Sequence, residues 1–178
     1  MNKKIDIKKE LSENQTILLI MSSTDYNKEI VDIVKKLPGK NIAYVTLNKT
    51  HDSLIELFKK NKIKTEDIVF IDAISKTIKS TPEQSEGVYY VSSPGAMTEL
   101  SLVISKFFRH NFDYLIFDSL TNLLVYESKA PVAKFVSSLV NKAKESKTKA
   151  IFYALSVKEQ ESLIKESGMF VDKVIELG

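Results

Sequence analysis

The chain has 178 residues, 43% of them hydrophobic and 28% charged, which suits one soluble domain with a sizeable buried core. Lys and Arg number 26 against 23 Asp and Glu, a net charge of +3, too small an excess by itself to point to nucleic acid. The absence of cysteine excludes disulfides, thiolate metal sites and a cysteine nucleophile, and His51 and His110 are too far apart in sequence for a metal-ligand spacing.

The opening residues are basic and amphipathic. Lys3, Lys4, Lys8 and Lys9 are diluted by Asp6 and Glu10, which reads as a solvated face. The apolar run that follows, Ile17 to Met21, is too short for the core of an export signal or for a membrane span. A cytoplasmic protein without a membrane partner is expected. Thr16–Met21 reads as a first buried strand, and Asp25–Leu37 has apolar residues at helical spacing, stopped by Pro38-Gly39.

Ile42–Leu47 is a second strand, Thr50–Asn61 a second helix and Ile68–Ile71 a third strand. Lys76–Gly87 lacks an apolar period and contains Pro82, so an exposed loop is predicted. Val88–Val91 is a short strand. There Tyr89-Tyr90 could stack bases, but one of the pair is expected to face the core. Ser92-Ser93-Pro94-Gly95 turns into a helix over 96–109, with its hydroxyls capping that helix in preference to binding an anion.

Tyr114–Phe117 forms the next strand and ends at Asp118-Ser119. A connection over Leu123–Pro131 leads to a helix over 132–146. Ala150–Leu155, a helix over 158–167 and Val171–Leu177 close the chain. The strands are continuous apolar runs, as in a mostly parallel sheet covered by helices on both faces. With no repeat, low-complexity tract or linker, residues 1–178 read as a single α/β domain.

The segment richest in chemistry is Phe112–Tyr126, where four apolar residues lead into Asp118. An aspartate at the C-terminal end of a parallel strand lies where open α/β sheets bind ligands. It can hold a metal there, or it can simply cap the next turn. Ser119 has no histidine placed to suggest a triad, and there is no G-x-S-x-G elbow.

The order of elements, the FDSLTNLL run and the VIEL ending resemble the RecA superfamily and, within it, KaiC-like ATPases, from about Thr16 to the end of the chain. The resemblance implies a three-layer α/β/α sandwich with a mostly parallel central sheet, and it places Asp118 as the metal-binding aspartate beside the end of Thr16–Met21. Two expected features are missing. The phosphate loop G-x-x-x-x-G-K-[S/T] is replaced by Met21-Ser22-Ser23-Thr24-Asp25-Tyr26-Asn27-Lys28, with no glycine before Gly39. Asp25 would repel a phosphate at the helix start, and a lone Lys28 reads as a surface charge. Asn48 and Lys49 stand where KaiC-like proteins carry the acids that prepare the attacking water.

The expectation is therefore a non-catalytic domain with no cofactor, acting through protein contacts. Its partner would be an active RecA/KaiC-like ATPase or a second copy of itself, and nucleic acid is not favoured. The competing expectation is a nucleotide site of altered form, using Ser22, Ser23, Thr24, Asp118 and Ser119, with Asp118 as the metal ligand. The surfaces proposed for partners are the 76–87 loop and the 123–131 connection.

Overall fold

A computed structural model describes residues 4–37 and 41–177. In chain order the elements are α1 (Ile7–Glu13), β1 (Thr16–Met21), α2 (Tyr26–Lys35), β2 (Ile42–Thr46), α3 (His51–Lys60) and β3 (Ile68–Asp72). A single turn α4 (Ser75–Ile78), β4 (Gln84–Ser85), β5 (Val88–Tyr90), α5 (Met97–Arg109) and β6 (Tyr114–Asp118) follow. Then come α6 (Leu120–Tyr126), α7 (Lys129–Lys144), β7 (Lys149–Leu155), a 3₁₀ turn (Lys158–Gln160), α8 (Glu161–Gly168) and β8 (Lys173–Leu177). The expected roles of Lys3 and of Pro38-Gly39 lie outside the described residues.

The strands form one sheet in the order β4-β5-β3-β2-β6-β7-β1-β8, parallel throughout except for the β4–β5 pair. Leu18, Val45, Val69, Ile116 and Phe152 all lie in strands, as the apolar runs predict. Side chains alternate between two cores. On β1, Ile17, Leu19 and Met21 face the layer of α1, α2 and α3, with Ile7, Ile30 and Phe58, while Leu18 faces the opposite layer. On β7, Ile151 and Tyr153 face the first layer, and Ala150, Phe152 and Ala154 face α5, α6, α7 and α8. Filling both faces is why the strands read as unbroken apolar runs. Tyr89 packs with one core, edge-on to Phe107, and Tyr90 with the other, so both tyrosines are used in packing.

Three expectations need correction. The 123–131 segment is not a long irregular connection: α6 runs through Tyr126, and only Glu127 and Ser128 separate it from α7. Pro131 suggested a later helix start, but it sits in the first turn of α7, where backbone N–H groups have no intrahelical acceptor, so a missing N–H costs little. Strand β6 does not lie beside β1, because β7 pairs with both of them, in register with all of β1. The 76–87 loop also contains the α4 turn and the short β4 strand. Among the described residues no helix is long and apolar enough to cross a membrane.

The unforeseen helix α6 is tied to the sheet by Thr121. Its Oγ1 accepts the Leu155 N–H at 2.7 Å, and its carbonyl accepts from Gln160 Nε2 at 3.3 Å. Thr121→Val keeps the shape and removes that acceptor for a part-buried donor. It is expected to lower unfolding stability by about 1–3 kcal/mol, read from urea denaturation.

Candidate functional site

By the alternation along β6, Asp118 shares the face of Ile116 and points into the layer of α2 and α3. Its side chain is fully buried. The Tyr44 hydroxyl, from β2, donates to Asp118 Oδ2 at 2.6 Å. The Tyr26 hydroxyl, from the first residue of α2, donates to the same oxygen. Asn48 Nδ2 in turn donates to the Tyr26 oxygen at 2.9 Å. Asp118 Oδ1 has no hydrogen-bond partner, nor has the hydroxyl of Tyr153, and both atoms are buried. Tyr153 lies on β7, one step beyond the Phe117–Phe152 register pair, and so stands alongside Asp118.

Burial pushes the Asp118 carboxyl up to about 6, while the bonds from Tyr26 and Tyr44 and the nearby Lys49 charge pull in the other direction. Burial, and then the Asp118 charge, raise the phenols of Tyr26, Tyr44 and Tyr153. At neutral pH the three hydroxyls of the cluster are neutral.

The connection between β1 and α2 is four residues long, from Ser22 to Asp25. Ser22 Oγ donates to Asp25 Oδ2 at 3.0 Å and accepts the Asp25 N–H at 3.2 Å, closing the turn on itself. Ser23 and Thr24 are exposed. The hydroxyl of Ser119 caps α6, accepting the Asn122 N–H at 3.4 Å, and the Asp118–Ser119 peptide is cis. Thus α2 brings Tyr26, and not a serine or threonine of the preceding turn, onto Asp118. Lys49 lies over the Tyr26 ring, 5.9 Å from its centroid.

A second carboxylate, Asp72, ends β3 in the same way and is also fully buried. It accepts the N–H groups of His51, Ile74 and Ser75, each at 2.8 Å, and the Ser75 hydroxyl at 2.5 Å. With both oxygens satisfied, it fixes the starts of α3 and α4.

Sequence reasoning overlooked Tyr26, Tyr44 and Tyr153. The available signal was a phenol in the middle of otherwise aliphatic strands, since a buried tyrosine hydroxyl usually needs a partner.

A magnesium–nucleotide complex does not fit these residues. Asp118 is fully buried, one of its oxygens already accepts two tyrosine hydroxyls, and the other also lies beneath the surface. The four-residue connection offers no glycine backbone to wrap a phosphate and places Asp25 at the helix start. Among the described residues, no three His, Cys, Asp or Glu side chains are grouped to hold a metal.

No family model and no curated protein matches the chain in sequence. Solved structures do match its fold. An ATPase from the type III secretion system of pathogenic bacteria superposes with a TM-score of 0.57 at 14% identity, over 92% of this chain and 51% of that one. A KaiC-like protein from Pyrococcus horikoshii OT3 gives 0.56 at 14% identity, over 92% and 72%. The flagellar accessory protein FlaH from Methanocaldococcus jannaschii gives 0.54 at 13%, over 91% and 70%. The chain spans about half the length of the secretion ATPase. The chain therefore shares the α/β/α sandwich fold of these proteins, in line with the RecA-like architecture that the resemblance implies.

The Asp118 cluster has a measurable electrostatic consequence. With its carboxyl at about 6 in the fold and near 3.8 when exposed, the folded chain holds the extra proton between those values. Its contribution to stability therefore falls as pH rises through that window, by up to about 3 kcal/mol. Asp118→Asn removes the buried charge and keeps an acceptor for the tyrosines. In urea denaturation the variant is expected to match or exceed the parent at pH 7, with its advantage shrinking toward pH 4.

Proposed function

We propose that this chain is a non-catalytic RecA/KaiC-like domain, a pseudo-ATPase that works through protein contacts in regulation or signalling in the cytoplasm. The observation that carries the reading is the occupation of Asp118 by Tyr26 and Tyr44, from α2 and β2. Phosphoryl transfer depends on a metal clamp, a cationic group on the terminal phosphate and a group that orients the attacking oxygen. Here the first place is taken by tyrosine hydroxyls. The second has no lysine in a phosphate loop, and Asn48 at the third is spent on Tyr26. The structural neighbours include a KaiC-like protein and a flagellar accessory protein, so a partner that is itself an active relative, or a second copy of this chain, is the natural counterpart.

The geometry narrows the surface for such a partner. Leu123 is fully buried and Leu124 packs on the core, whereas Val125 is 74% and Tyr126 50% exposed. Tyr126 lies against Gly95, where an added methyl would approach its Cβ to 3.3 Å, so its ring rests on the turn before α5. That leaves an apolar pair at the end of α6 for a partner to cover.

Calorimetric titration with Mg-ATP is expected to show no saturable binding, and phosphate release is expected to stay at background. Magnesium-dependent turnover that vanishes in Asp118→Ala would establish an active site and remove this reading. Saturable binding without turnover would favour the altered nucleotide site at Ser22, Ser23, Thr24 and Asp118. Separately, a small assembly is expected whose size by light scattering is unchanged by Mg-ATP. Replacing Val125 and Tyr126 with Ser should loosen it while leaving the urea midpoint of the isolated chain nearly unchanged. An assembly indifferent to that double replacement would place the contact elsewhere.

A further inference from the structure

In a parallel sheet whose helices return the chain, every helix ends at the edge opposite the ligand edge. Six helix-to-strand turns lie at that N-terminal edge, and four of them, residues 35–37, 59–67, 106–113 and 142–149, are adjacent to one another. These four feed β2, β3, β6 and β7, which are consecutive in the sheet as β3-β2-β6-β7. These turns hold twelve Lys and Arg against four Asp and Glu, which leaves fourteen against nineteen for the rest of the chain. A molecule of net charge +3 is thus divided into an edge of about +8 and a remainder of about −5.

Helix dipoles explain part of this. Four helices, α2, α3, α5 and α7, end here, each equivalent to about half a negative charge, and lysines in a last turn answer them. That offsets only about two of the eight charges. Lys62, Lys64 and Lys147 lie beyond the helix ends and are exposed. Arg109 is exposed as well, and among the described residues none of these four makes an ion pair.

A cleft of about 630 Å³ opens on this edge between α5 and α7, lined in part by Arg109, Lys142, Lys147, Asn111, Ser146 and a single acid, Glu145. The Lys142 ammonium is held there by hydroxyls, donating to Ser101 Oγ at 3.0 Å and Ser105 Oγ at 2.8 Å, so its charge is not cancelled by a carboxylate.

We propose that this N-terminal edge binds nucleic acid through the phosphate backbone, without selecting bases. Four strands at about 4.8 Å spacing, with a helix layer on each side, give a face roughly 15 by 30 Å. About 15 Å of duplex axis presents roughly nine phosphates, a charge comparable to that of the edge. Exposed Lys and Arg outnumber the exposed acids Glu66, Asp67, Asp113 and Glu145 on this face, and with Asn111 they can donate to phosphate oxygens. In these turns Phe107 and Phe108 are buried and Phe112 is half-buried, so contact would rest on the phosphates and be indifferent to sequence. An anionic membrane is the weaker match. None of the large exposed apolar side chains falls in these four turns, and Met169 and Phe170 stand farther along the same edge, on the α8–β8 connection beyond β1. The small net charge conceals the edge, because it averages two oppositely charged regions. The inference is independent of what occupies the Asp118 edge.

The test is fluorescence anisotropy of a labelled duplex of about 20 base pairs and arbitrary sequence, at salt from about 50 to 200 mM. Saturable binding is expected, with affinity falling steeply as salt rises. The variant Arg109→Glu/Lys147→Glu should weaken it at least about tenfold and reduce the salt slope by about two. The control Lys28→Glu/Lys158→Glu makes the same change in net charge at the opposite edge and should stay within about threefold of the parent. Thermal melts of both variants should match the parent, since all four side chains are exposed. In parallel, sedimentation with phosphatidylcholine vesicles containing about 30% phosphatidylserine tests the membrane. Three results would overturn the proposal: no saturable duplex binding at the lowest salt, equal weakening by the control pair, or vesicle binding without duplex binding.

Discussion

A carboxylate removed from water costs several kcal/mol unless hydrogen bonds or a counter-charge offset it, and Asp118 is buried on a strand in the middle of the sheet. Its compensation comes from two phenols that reach one oxygen from two different elements. Tyr44 comes from the neighbouring strand, and Tyr26 comes from the helix that begins beside β1, two strands away. Because β7 intervenes between β6 and β1, the Tyr26 bond spans a strand that makes no such bond itself. The start of α2, the middle of β2 and the end of β6 are thereby held to one point.

Asp118 and Asp72 look interchangeable in sequence, each ending an apolar strand. The structure separates them by what surrounds them. Asp72 meets three backbone N–H groups and a serine hydroxyl, a complete set that leaves no acceptor capacity for a ligand. Asp118 retains one unmet oxygen, and Tyr153 retains an unmet hydroxyl on the adjoining strand. An orphaned donor and acceptor of this kind normally call for an ordered water or for strain tolerated for a reason.

The layers and the strand residues were legible in the sequence because a sheet buried on both faces leaves a plain mark: uninterrupted runs such as TILLIM and AIFYAL. Asp118 was legible as a strand-terminal acid. The partners of Asp118 were not, since Tyr26 and Tyr44 meet it across separations of 92 and 74 positions that no local pattern encodes. Helix α6 was hidden by Pro131, which reads as a break but is harmless in a first turn. The strand order was hidden too, because element succession does not say that β7 enters between β6 and β1. The charge division was in the sequence all along, but counting charges discards it until the topology gathers four distant turns onto one edge.

The four-residue link between β1 and α2 bears on what substitution alone could change at this edge. A phosphate loop of the G-x-x-x-x-G-K-[S/T] form is eight residues long, and its backbone must leave the strand, circle an anion and re-enter the helix. Exchanging Ser22, Ser23, Thr24 or Asp25 for glycine changes the freedom of this link but not its reach. A phosphate cradle at this link would also require Tyr26 to leave its place on Asp118. Glycine substitutions in the link alone would leave that Asp118 oxygen engaged by Tyr26 and Tyr44.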